Sequence, residues 1–184
     1  MKYATPLDYL TMRIEFGELV IVWRHADRKV LRIYLPQQYS LFEGSHYGTA
    51  VRAKTQARVI SVLCRGIRDL LAGKVHTFDL RVLDWSTMPA FQRRVLHVES
   101  RIPRGMTSTY GRIARKLGVP DAARAVGSAL AHNPFPVIIP CHRVIKADRS
   151  LGGYAGGLPM KRRLLELEGV NFDKYGRVLA DRFW

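Results

Sequence analysis

The chain has 184 residues, 47% of them hydrophobic and 24% charged, which excludes a disordered or fibrous protein and predicts a globular one with a real core. Its charge is lopsided: 30 Lys+Arg against 15 Asp+Glu give +15, and arginine, whose fork grips phosphate and stacks on bases, supplies most of the excess. No apolar run reaches the ~18 residues of a membrane span. The two cysteines, Cys64 and Cys141, are too few for a disulfide scaffold and fit a reducing compartment.

The first part reads as strands. Met12–Phe16 alternates apolar and polar residues, Gly17-Glu18 turns the chain into Leu19–Trp23, and His25–Lys29 links that to Val30–Leu35. Gln37 to Lys54 has no clear period and reads as a loop. Gln56–Ala72 carries Val59, Ile60, Leu63, Ile67, Leu70 and Leu71 at helical spacing and is closed by Gly73. Cys64 falls on or beside that stripe, as a small buried hydrophobe does. Phe78–Leu83 reads as a last strand.

The second part is mostly helical. Ser86 or Thr87, with Pro89 just behind, starts a helix through Ala90–Ser100, and Ile102-Pro103-Arg104-Gly105 breaks it. Thr107-Ser108-Thr109 caps a short helix, Tyr110–Leu117, ended by Gly118. Val119-Pro120-Asp121 starts the next, Ala122–His132, so the pair is a helix-turn-helix candidate. A glycine-rich loop, Leu151–Gly157, precedes a last helix, Met160–Glu168, closed by Gly169. The spacing predicts an α+β protein of two domains, 1–85 and 86–184. Residues 1–80 carry 12 basic and 7 acidic groups, and residues 81–184 carry 18 and 8. The helical part is the more basic.

Val137-Ile138-Ile139-Pro140-Cys141-His142-Arg143-Val144 carries the chemistry. A strand-like apolar run is stopped by proline and delivers a cysteine with a histidine and an arginine beside it. Thiolate is the reactive form of cysteine, and a neighbouring base or cation makes it easier to form. The helix Ala122–His132 is unusual in another way. Ala123, Ala125, Gly127 and their neighbours are small, and Arg124 is its only cationic side chain. Tight helix packing explains that, and so does a helix pressed onto DNA with Arg124 as the one long probe.

These residues resemble the O6-alkylguanine-DNA alkyltransferases, which repair DNA by direct reversal. The resemblance runs from about Phe91 to Gly169. It is carried by Thr109-Tyr110-Gly111, Ala122–Gly127, Asn133-Pro134, Ile139–Val144, Gly153–Leu158 and Leu164–Gly169, in order. It implies an RNase H-like first domain and a helical second domain that binds double-stranded DNA through the minor groove. It implies Cys141 as alkyl acceptor, His142 as its base through a water, and Glu168 as the partner that orients His142. Asn133 would order the cysteine turn, and Tyr110 would hydrogen-bond guanine N3. Pro140, Val144, Tyr154 and Ala155 would line the base pocket. Arg124 would fill the space of the flipped base, aided by Ala123, Ala125, Gly127 and Thr109. Arg112, Arg115 and Arg143 are placed for phosphates, although Arg143 has an internal pairing as its alternative. Glu168 is read alternatively as a surface ion-pair partner of its cation-rich helix, and Tyr110 as a core aromatic.

No cofactor and no metal are expected. Cys64 stands alone in the first domain, and His25, His46, His76 and His97 lack ligand spacing. A monomer with no obligate protein partner is expected, in the cytoplasm, or in the nucleus if the source has one. Three rivals remain: a non-catalytic module that recognises alkylated DNA, a cysteine hydrolase and a helix-turn-helix regulator. Cys141 argues against the first. The hydrolase gives no reason for the charge, and the regulator lacks base-reading side chains on Ala122–Ala131.

Overall fold

The computed structural model describes residues 6–55, 57–179 and 183–184; Gln56, the expected start of the first long helix, lies outside them. The fold is α+β. The chain divides into two compact units, Met1–Ser86 with Pro134–Pro136, and Thr87–Asn133 with Val137–Trp184. The short segment given to the first unit interrupts the second. There the Pro134 carbonyl accepts from the Ile33 N–H at 2.8 Å, and the buried Phe135 ring meets Trp85 edge-on.

The first unit is built on a sheet of order β3-β2-β1-β4. Strand β1 (Leu7–Ile14) and strand β2 (Gly17–Arg24) form a hairpin in register Ile14↔Gly17. The turn is therefore Glu15-Phe16, two residues earlier than the expected Gly17-Glu18. Gly17 is the first residue of β2, at φ 123°, and a Cβ there would meet Pro36 at 3.1 Å. Strand β3 (Val30–Tyr34) pairs antiparallel with β2. Every residue from Leu19 to Trp23 is buried, so β2 is covered on both faces, which is what its unbroken apolar run requires. Val20 and Val22 pack with Tyr34 and Phe42 in one cluster.

The stretch expected as a loop holds helix α1 (Tyr39–Glu43) and strand β4 (Val51–Arg52), the latter parallel to β1. Both are too short to leave a period in the sequence. Helix α2 (Arg58–Leu71) buries Ile60, Leu63, Cys64, Ile67 and Leu70, which is the predicted stripe, and packs against β1. The strand expected at Phe78–Leu83 does not form. Asp79 caps a 3-10 turn, Leu80–Val82, by accepting from the Arg81 N–H at 2.9 Å, and only Leu83 bridges to Val30. A capping aspartate competes with the strand ladder for the same backbone.

The second unit contains helix α3 (Ala90–Glu99), strand β5 (Ser108–Thr109), helix α4 (Tyr110–Lys116), helix α5 (Ala123–Ala131), strand β6 (Val144–Ile145) and helix α6 (Gly157–Leu167). Helix α3 starts from Pro89, without the expected Ser86 or Thr87 cap; the Ser86 hydroxyl is held by Asp84 at 2.6 Å instead. Helix α5 packs on both α3 and α4. Among the described residues no helix is long and apolar enough to cross a membrane.

Candidate active site

Two short strands set up the site. Strand β5 leads directly into α4, whose first residue is Tyr110, and β6 directly follows the 3-10 turn Cys141–Arg143. They pair in parallel, Ser108↔Val144 and Thr109↔Ile145. That pairing brings the Tyr110 end of α4 to the cysteine turn across more than thirty residues of chain. Thr109 caps α4 by accepting from the Arg112 N–H at 3.3 Å. The apolar run before the cysteine is a turn, not the expected strand. Val137 sits at φ 75°, a left-handed conformation that costs a β-branched residue energy and is held by complete packing.

Around Cys141 the polar groups are ordered with unequal care. His142 is fully buried and its Nε2 meets Glu168 Oε1 at 2.9 Å. Arg143 embraces the same carboxylate, Nε to Oε2 and Nη2 to Oε1, both at 2.8 Å, and Nη1 donates to the Ile102 carbonyl at 2.6 Å. Burial pushes the Glu168 carboxyl up, but the hydrogen bonds and charges of His142 and Arg143 outweigh it and hold it at about 2. An ionised Glu168 only accepts, so the proton on His142 Nε2 is fixed by its partner. Burial drives the imidazole pKa down despite Glu168, so the ring is neutral. His142 Nδ1 is then a lone pair, buried, with no hydrogen-bond partner among the described residues.

The thiol of Cys141 is pushed up to about 12, by burial first and by the charge of Glu99 second, against hydrogen bonding from Asn133 and the charge of Lys161. At rest it is a thiol. Buried Asn133 also donates from Nδ2 to the Ile139 carbonyl at 3.2 Å, tying down the turn ahead of the cysteine. Tyr110 is half-buried and feels Cys141. Tyr154 sets its ring edge-on to His142 at 6.4 Å, and its buried hydroxyl has no partner among the described residues. Pro140 and Val144 are buried, and Ala155 is partly exposed.

The structure thus brings Cys141, His142, Glu168, Asn133, Tyr110 and Tyr154 into one neighbourhood, and Glu168 is no surface ion-pair residue. Arg143 corrects its assignment to phosphate. All three of its nitrogen groups donate inside the protein, and its alternative, internal pairing, is the one adopted. Arg124 and Ala125 are exposed on α5, Ala123 and Gly127 partly so, while Val126, Ala129 and Leu130 face inward. Small residues therefore serve both faces: Ala125 lies on the open one beside Arg124, while Ala129 is buried in the helix contact and Gly127 lies against the Tyr110 ring. Arg115 is exposed. Arg112 donates through Nε to the Trp184 carbonyl at 3.2 Å and lies over the Phe183 ring.

Two buried residues escaped the sequence reading. Lys161 has no exposure, and its Nζ donates to the Val144 carbonyl at 2.7 Å and the Gly153 carbonyl at 3.3 Å. Glu99 is equally buried, and neither of its carboxyl oxygens has a partner among the described residues. Helical spacing carried the signal: Lys161 shares its face with Leu164 and Leu165, and Glu99 shares its own with Val95 and Leu96. Among the described residues no group of three or more His, Cys, Asp or Glu side chains could hold a metal ion.

Fold and site together define a two-unit α+β protein with a cysteine turn braced by a buried His–Glu–Arg network beside a helix-turn-helix. A family model described as 6-O-methylguanine DNA methyltransferase, DNA binding domain, matches residues 90–170. The methylated-DNA–protein-cysteine methyltransferase of Mycolicibacterium paratuberculosis is 50% identical over 162 residues, covering 88% of this chain and 92% of that protein. The protein of the same name from Methanothermobacter thermautotrophicus is 49% identical over 114 residues, 62% of this chain and 64% of its own length, so this match spans less than two thirds of that relative. The crystal structure of Mycobacterium tuberculosis OGT in complex with DNA superposes with a TM-score of 0.75 at 35% identity, covering 88% of this chain and 92% of that one. The chain belongs to the methylated-DNA–protein-cysteine methyltransferase family, whose members bind DNA.

Proposed function

We propose that the protein repairs O6-alkylguanine in double-stranded DNA by moving the alkyl group irreversibly onto its own Cys141. The observation that carries this reading is the unpartnered lone pair of His142 Nδ1, held by an ionised Glu168 on the far side of the ring. A resting thiol whose proton is held this tightly needs a base at the moment of attack. His142 takes the thiol proton through an ordered water, and Glu168 stabilises the imidazolium that results. The sulfur–carbon bond forms as the carbon–O6 bond breaks, and the electron pair of that bond goes to the base. Tyr110 donates to guanine N3 as charge builds on the leaving base, and the proton balance closes when guanine leaves neutral.

Asn133 keeps the turn in place, and Pro140, Val144, Tyr154 and Ala155 form the walls of the base pocket. The alkyl carbon is inaccessible inside a duplex, so the nucleotide is flipped out at a cost of a few kcal/mol. The exposed small face of α5 enters the minor groove and Arg124 fills the vacated stack, with Ala123, Ala125, Gly127 and Thr109 at the contact and Arg112 and Arg115 near phosphates. A thioether is not hydrolysed under mild conditions, so each chain acts once, as a monomer, without cofactor. The reducing cytoplasm suits its free thiol.

The test is a mass measurement after incubation with a duplex carrying O6-methylguanine. One added methyl group per chain, on the Cys141 peptide, is expected, and Cys141→Ser should gain none while still binding DNA. Binding without any mass change would reduce the protein to a recognition module.

A further inference from the structure

Beyond α6 the chain returns to the start of α4. Phe183 packs on the cluster of Ile145, Leu165, Val170 and Val178 and bridges in parallel to Thr107. The Trp184 N–H donates to the Thr107 carbonyl at 2.8 Å. The Trp184 carbonyl accepts twice, from Ser108 Oγ at 3.1 Å and from Arg112 Nε at 3.2 Å. Lys116 Nζ sits over the Trp184 ring at 3.9 Å, and the Arg112 guanidinium lies over the Phe183 ring at 5.2 Å. These two residues thus grip the entry to β5 and the length of α4, and the reaction assigned to Cys141 makes no use of either.

Strand β5 needs that grip. Its ladder with β6 consists of Ser108↔Val144 and Thr109↔Ile145, and so short a pairing has few hydrogen bonds to resist fraying. Tyr110 follows β5 directly, in a space with little tolerance: a Cβ added at Gly152 would come within 3.0 Å of its hydroxyl, and one at Gly127 within 3.7 Å of its ring. A donor displaced by an ångström loses most of its effect on a reacting group, so the backbone that carries Tyr110 has to be fixed. We propose that Trp184, seated by Phe183, is a positioning residue for Tyr110: it clamps Thr107, Ser108 and α4, and so keeps the tyrosine hydroxyl aimed at the base. This rests on Tyr110 acting as donor to the leaving guanine. Trp184 acts through β5 and α4 and moves no proton itself.

The experiment uses the full chain with Trp184→Pro, which lacks the N–H that meets Thr107, and Trp184→Phe, which keeps the backbone bonds and a ring over Lys116. Single-turnover transfer is followed against O6-benzylguanine concentration, and deuterium uptake of the peptide 107–112 reports the clamp. Trp184→Pro should raise that uptake and lower the maximal rate about tenfold or more, with the half-saturating concentration unchanged. Trp184→Phe should restore both readings. Ser108→Ala, which removes one bond to the Trp184 carbonyl, should act in the same direction and more weakly. Combined with Tyr110→Phe, Trp184→Pro should slow transfer no further than Tyr110→Phe alone, because the two act as one unit. Losses that multiply overturn the proposal, as does a change confined to half-saturation, and so does unaltered uptake. Uptake that rises in Trp184→Pro while every chain, wild type included, is inert toward O6-benzylguanine and a methylated duplex would uphold the clamp and refute the alkyltransferase reading instead.

Discussion

Two glutamates lie buried in the same unit and behave in opposite ways. Glu168, just beyond α6, is gripped by His142 and by both sides of the Arg143 fork, and its carboxyl falls to about 2. Glu99, at the end of α3, finds no hydrogen bond among the described residues, and burial lifts its carboxyl to about 8. Burial is the largest influence on both. What separates them is whether donors converge on the oxygens, because a low-dielectric interior strengthens a made hydrogen bond and penalises a missing one alike. The first arrangement fixes a histidine tautomer. The second leaves a buried carboxyl that keeps its proton at neutral pH.

Glu168→Gln breaks the comparison most forcefully. It leaves the Arg143 guanidinium buried without a counter-charge, and about 3 kcal/mol of stability should go with it in urea unfolding at pH 7. Glu99→Gln should cost nothing in the same assay and should stabilise the chain at pH 7, since no pairing is lost and the amide has no ionised form whose burial opposes folding. Equal costs would mean that the two sites do not differ. The pH dependence has opposite signs. Glu168 has a depressed folded pKa, so its stabilisation is present above the ordinary carboxylate value of ~4.3 and fades as pH falls toward about 2. Glu99 has a raised one, so its contribution is present below ~4.3 and is lost as pH rises through about 8. Urea midpoints of the wild type measured against Glu99→Gln should therefore decline between pH 5 and pH 8.

Arg143→Ala comes next. It should cost about 2 kcal/mol or more by leaving Glu168 half-paired, yet leave the salt dependence of DNA binding unchanged, because the side chain is committed internally. A shallower salt slope would return it to the phosphate contacts. Arg124→Ala should reverse that pattern: unaltered stability, a roughly tenfold or greater loss of transfer from duplex DNA, and little change with free O6-benzylguanine, which needs no flipping. Equal losses on both substrates would remove its role as a wedge. The smallest effect belongs to Thr109→Ala, which removes the α4 cap and should lower stability by about 1 kcal/mol in thermal unfolding.

The positions of α2, α4 and α5 were legible from signals that act within a few residues of chain: the apolar stripe and Gly73 for α2, the Thr109 cap and Gly118 for α4, and Pro120-Asp121 just ahead of α5. So was the cysteine turn, since Pro140-Cys141-His142-Arg143 are consecutive. What was not legible lay wherever a local preference lost to a distant or competing contact. Asp79 turned an expected strand into a capped 3-10 turn. Val137 took a left-handed conformation that β-branching disfavours. Strand β4 is two residues long, and only its pairing with β1 makes it a strand.

Taken by itself, the sequence determined the charge, the helical periods and the order of chemically meaningful residues, because these depend on composition and on near neighbours. Only the tertiary structure decided which ionisable groups meet. It joined His142 to Glu168 across 26 residues and turned Arg143 away from solvent to the same carboxylate. It also buried Lys161 and Glu99 beside the nucleophile. Ionisation responds to distance, dielectric and donor geometry, and a one-dimensional spacing specifies none of those three.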